Sequence, residues 1–128
     1  MPIKVEIAPA ELVDKLTILE IKLERIADPD KLRNVRVEYD LLRQVSDAEV
    51  APSERLTALT AQLKEINGRL WSIEDDIREL ERAKSFGTEF VALARSVYRT
   101  NDERAAIKRL INELLNSAIL EEKSYAAY

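Results

Sequence analysis

A chain of 128 residues with neither histidine nor cysteine has a short list of chemistries open to it. It lacks the usual general base, the commonest metal ligand and any thiolate, so disulfides and His- or Cys-ligated metals are excluded. Whatever chemistry it does must use carboxylates, Lys, Arg, Tyr, amides or hydroxyls. Three groups of such residues stand beside apolar seams when the sequence is wound at 3.6 residues per turn. Glu20 lies next to Leu16 and Leu23; Asn67, Trp71, Glu74 and Arg78 form one flank of a long helix; Asn101, Arg104, Lys108 and Asn112 form a polar stripe on another. Both signs of charge, amides and the single tryptophan are enough to recognise a small anion between helices, with Arg104 and Lys108 holding it and Glu20 or Glu74 as acid or base. The competing account is structural: Glu20 and Glu74 pair with Arg104, Lys108 or Arg78 and set helix register, as polar layers do in coiled coils. The structural account is preferred. Trp71 sits one position off its seam, where it either caps the core or anchors an interface.

The elements that must position these residues are helices. Two glycines and four prolines, against abundant Leu, Ala, Glu, Lys and Arg, make the composition of long helices. Pro9 suits a helical first turn, and Leu12, Leu16, Leu19, Leu23 and Ile26 give one apolar seam, with Ile18 and Ile21 on a second face near Asp14 and Arg25. A helix over 9–26 is therefore apolar on two sides. Asp28–Pro29–Asp30 ends it and caps a second helix over 30–45, with Leu32, Val35, Tyr39 and Leu42 on its apolar face. A third, over 53–83, carries the strongest pattern: Leu56, Leu59, Leu63, Ile66, Leu70, Ile73, Ile77 and Leu80 alternate steps of three and four. Gly87 is expected to take positive φ and Thr88 to cap a fourth helix over 88–117, antiparallel to the third.

The fourth helix changes phase. Its apolar stripe is Phe90, Leu93, Ala94 and Val97 at first, then Ile107, Ile111, Leu114 and Ala118, displaced by roughly 80° on a straight wheel. Thr100 and Glu103 read as a capping box, so a break near residue 100 that re-aims the second half is the favoured reading. If the helix instead runs straight, Asn101, Arg104, Lys108 and Asn112 enter the bundle. Residues 1–8 form an extended arm in which Ile3, Val5 and Ile7 alternate with Lys4 and Glu6; it either lies over the bundle or pairs with the same segment of another copy.

The expected fold is thus a single-domain, all-α antiparallel helical bundle with a coiled-coil-like hairpin. A net charge of −4 argues against nucleic acid and anionic membranes. No run approaches the roughly 20 apolar residues of a membrane span, and no signal peptide is visible, so the cytoplasm is the default location. No phosphate loop, metal motif or catalytic triad is present, and nothing calls for a cofactor. The chain reads as an interaction and assembly module, a homodimer that also offers a helix face to a partner protein. The alternative is a small enzyme or binding protein for an anionic metabolite.

Three stretches, DKLTILEIKLERI at 14–26, LWSIEDDIRELE at 70–81 and FVALARSVYRTNDERAAIKRLIN at 90–112, resemble a family of small uncharacterised bacterial proteins classed as a domain of unknown function. The resemblance implies a stand-alone bacterial protein and carries over no activity, cofactor or catalytic residue. A weaker comparison is the all-helical chorismate mutase, which holds an anionic substrate between helices. Arg25, Lys31, Arg104 and Lys108 supply its residue types here without its helix-1 pattern.

Overall fold

The computed structural model describes residues 1–128 and contains four helices and no strand. They are α1 (Pro9–Arg25), α2 (Pro29–Glu49), α3 (Glu54–Arg82) and α4 (Thr88–Leu114). Local chemistry explains most of their boundaries. Proline occupies the first turn of α1 and of α2. The Asp28 carboxylate accepts from the backbone N–H groups of Asp30 and Lys31, and Ser53 Oγ accepts from that of Leu56.

The C-terminal ends of α3 and α4 are built alike. Lys84 and Asn116 adopt left-handed conformations, with φ of 55° and 54°. The next residues, Ser85 and Ser117, donate backbone N–H groups back to the carbonyls of Leu80 and Asn112. At the first of these turns the sequence pointed to Gly87 for positive φ and to Thr88 for the cap. The left-handed residue is instead Lys84, at a cost of about 1 kcal/mol. Gly87 has φ −84° and itself stands at the N-cap of α4. The turn closes directly on the last carbonyls of α3, three residues before the glycine.

The helices alternate in direction. Asp14 meets Arg104 while Glu11 meets Lys108, so α1 and α4 are antiparallel. Arg69 meets Glu103 while Leu59 and Leu63 pack with Ile111, so α3 and α4 are antiparallel too. The core sits where α1, the first half of α3 and the second half of α4 converge: Ala10, Val13, Leu56, Leu59, Leu63 and Ile111, with Val50, Ile107 and Leu115 against it. The regular α3 seam is buried only from Leu56 to Ile66; Leu70 and Ile73, beside the last turns of α1, and Ile77 and Leu80, beyond its end, are half-buried. α2 packs on α1, and its backbone comes close to neither α3 nor α4. The N-terminal arm pairs with no strand of the chain, and Ile3, Val5 and Ile7 are exposed.

The expected break at residue 100 does not occur: α4 runs unbroken through it. Thr100 is a buried residue inside the helix, and Glu103 reaches outward to Arg69 Nη2 at 2.6 Å. The helix therefore carries its polar stripe into the bundle, and something must satisfy that stripe.

Candidate functional site

What satisfies it comes from α1 and α3. Asp14, on the second face of α1, is only 2 % exposed. Its Oδ1 accepts from Arg104 Nε at 3.1 Å and from Asn67 Nδ2 at 2.8 Å, and its Oδ2 accepts from Arg104 Nη2. Thr17 Oγ1 accepts from Asn67 Nδ2 at 2.9 Å and donates to the Asp14 carbonyl at 2.7 Å. One turn along, Lys108 Nζ lies 2.7 Å from Glu11 Oε1 and 2.9 Å from Glu121 Oε2, the latter supplied by the segment after α4. Asn112 Oδ1 accepts the backbone N–H of Ala10 at 2.9 Å. This last bond replaces a missing cap, because Ala8 at the N-cap of α1 has no side chain able to accept. No fully buried side-chain nitrogen or oxygen is left without a partner.

The charges respond to this arrangement. Hydrogen bonding to Asp14 raises Arg104 above its ordinary value. Burial pushes the Lys108 ammonium down, but the hydrogen bonds to Glu11 and Glu121 outweigh it and the net shift is upward. Glu121 is held at about 2, chiefly by Lys108.

The eight residues singled out in the sequence are not brought to one place. Trp71, Glu74, Arg78 and Arg104 line a groove of about 480 Å³ between α1, α3 and α4, together with Asn67. Asn101 and Lys108 line a small recess of about 60 Å³ beside Arg104 and Glu121. Asn112 serves the N-terminus of α1. Glu20 lies apart, accepting from Tyr39 Oη at 3.5 Å and standing 3.8 Å from Lys64 in a groove between α1, α2 and α3. Glu74 holds Arg78 at 2.8 Å within its own helix, and neither reaches Arg104 or Lys108.

A model of a family of unknown function, DUF6165, matches residues 3–128. The chain belongs to that family. No curated protein and no solved structure matches it. The family assignment attaches no reaction, so the chemistry rests on the geometry. Arg104 and Lys108 each already hold a carboxylate of this chain, and a free anion bridging the two would have to displace Glu11 or Glu121 from Lys108.

Sequence reasoning overlooked Asp14, Thr17, Glu11 and Glu121. A signal for two of them existed: Glu11 and Asp14 are spaced i, i+3 on α1 as Arg104 and Lys108 are spaced i, i+4 on α4, a match that antiparallel packing turns into two ion pairs.

Proposed function

We propose that the chain is an assembly module that joins a second copy of itself through the outer face of α2. The observation that carries this reading is a helix of 21 residues that buries none of them and is nevertheless apolar on two sides. Leu32, Val35, Tyr39 and Leu42 lie half-buried toward α1. On the opposite side Val37, Leu41 and Val45 repeat at steps of four and are 58, 58 and 48 % exposed. An exposed stripe of this kind on an isolated outer helix is what a helix–helix interface covers.

Charge favours a second copy as the occupant. The ion pairs that α2 already makes are Asp30–Arg33, Arg43–Asp47 and Lys15–Glu38, which leave Arg36 and Asp40 on the far side of the stripe and, on its near side, Lys31 and Glu49. At about 100° per residue the latter two lie on one flank of the stripe, one before Leu41 and one after it. Antiparallel pairing of two α2 helices about Leu41 sets Val37 against Val45 and each Lys31 beside Glu49 of the second copy. No helix is long and apolar enough to cross a membrane. The cytoplasm is the compartment we assign to the module.

Size-exclusion chromatography with light scattering tests the reading. The chain weighs 14.6 kDa, so at roughly 50 μM, above a micromolar Kd, we expect twice that mass. Leu41→Asp should return the single-chain mass with unchanged helical circular dichroism. A wild-type monomer at that concentration, or a dimer indifferent to Leu41→Asp, rejects α2 as the assembly face.

A further inference from the structure

The groove that gathers Trp71, Glu74, Arg78 and Arg104 lies on the side of α1 turned away from α2, and its chemistry is independent of assembly. Its walls are apolar: Ile18 and Ile21 from α1, Leu70 and Trp71 from α3. Its most buried polar lining is Asn67 and Arg104, and the Arg104 side chain keeps 30 % of its surface exposed. A guanidinium has two edges that can each grip a carboxylate. The Nε–Nη2 edge of Arg104 is committed to Asp14, while Nη1 donates to nothing in the chain. Asp14 is itself held by Asn67, so the guanidinium plane is fixed before any ligand arrives and its second edge is presented ready-made. At the rim Glu74 and Arg78 neutralise each other, and the exposed Asp75 carboxylate beside them makes no ion pair, so the carboxylate-binding charge is that of Arg104 alone.

We propose that this groove binds a small molecule with one carboxylate and an aromatic or branched apolar body. The carboxylate meets the Nη1–Nη2 edge of Arg104, and the body lies over Trp71, Leu70 and Ile18. A volume of about 480 Å³ is within the range of small-molecule sites, roughly 300–1,000 Å³, and an apolar wall with a buried charged group is their usual composition; here Ile18, Ile21, Leu70 and Trp71 form that wall, Arg104 is the half-buried charge, and Glu74, Asp75 and Arg78 stand exposed around it.

Because Trp71 is the only tryptophan, its fluorescence reports on this groove alone. The full chain is titrated with 3-phenylpropionate, 3-phenylpropan-1-ol and 3-phenylpropan-1-amine. The acid should give a saturable change with a Kd of about 1 mM or below, and the alcohol and amine should bind at least about tenfold more weakly. Arg104→Lys leaves a cation for Asp14 but removes the second edge; it should weaken the acid at least about tenfold with the far-ultraviolet spectrum unchanged. Ile18→Glu, at a half-buried wall position, is the second variant should Arg104→Lys fail to fold, and it should exclude the acid by placing a carboxylate against the same edge. No saturation by about 20 mM acid, equal binding of the alcohol, preference for the amine, or variants that bind the acid as the wild type does would each overturn the proposal.

Discussion

Asp14 shows how a carboxylate survives at 2 % exposure in a helical core. Taking it out of water costs several kcal/mol, which only paired charge and full hydrogen bonding offset. Arg104 supplies the charge and Asn67 the remaining donor. Asp14→Asn keeps the shape but leaves Arg104 without its counter-ion, and it should lower unfolding stability in urea by about 2 kcal/mol. Adding Arg104→Met to it should cost little more, since the stranded cation is gone. Equal stability of Asp14→Asn and wild type would mean the ion pair carries no stabilisation. By contrast, the exposed pairs Arg78–Glu74 and Arg82–Glu79 sit in high dielectric and should each be worth well under about 1 kcal/mol.

At the scale of elements, α3 and α4 are regular throughout but not uniformly supported. Between Leu56 and Ile66 the α3 seam faces both α1 and α4; Leu70 and Ile73 are bordered only by the last turns of α1, Ile77 and Leu80 lie beyond its end, and from Leu70 to Leu80 no seam residue is fully buried. A two-helix stretch without a third layer opens at lower free energy than the three-helix core. Native-state hydrogen exchange should therefore show amides in 74–97 exchanging at least about tenfold faster than those in 12–20, 56–67 and 107–112. Uniform protection along α3 would show that the outer hairpin is covered in solution, which the isolated chain does not do. The two apolar sides of α1 that the sequence displays are both used, one toward α2 and the other toward α3 and α4.

For the whole molecule, the segment after α4 folds back along that helix and is held by charge. Glu121 bridges to Lys108, Glu122 lies 3.1 Å from Arg109, and Tyr128 Oη donates to Asp102 at 2.5 Å with its ring beside Tyr98. Glu121 is held near 2 in the folded chain, below its ordinary 4.5. Its contribution is present above the ordinary value and is lost as pH falls from about 4.5 toward 2. Lys108, raised in the fold, contributes below lysine's ordinary range and loses this only as pH climbs through its folded value. With the Glu121 side chain 40 % exposed, solvent screening limits its contribution to about 1 kcal/mol. Thermal melts should drop across that acid window, and Glu121→Gln should start lower at pH 7 and fall less steeply. Parallel curves for the two proteins would assign the acid loss to other carboxylates.

The sequence by itself determined the helices, because their signals are local. Prolines in first turns, the caps at Asp28 and Ser53, and the three–four seam of α3 each act within a few residues of chain. It also marked residues near 100 as the place where the apolar pattern fails, but not the consequence of that failure. Whether a polar stripe breaks a helix or enters a core depends on donors and acceptors distant in sequence, and here they come from Asp14, ninety residues before Arg104. The same holds for the start of α1, capped by Asn112 from the far end of α4. Tertiary packing alone decided which apolar faces found cover, leaving the Val37–Leu41–Val45 stripe exposed and placing Arg104 in the lining of the groove beside Trp71. Such outcomes belong to no single segment: they arise from how helices distant in sequence share a limited buried surface.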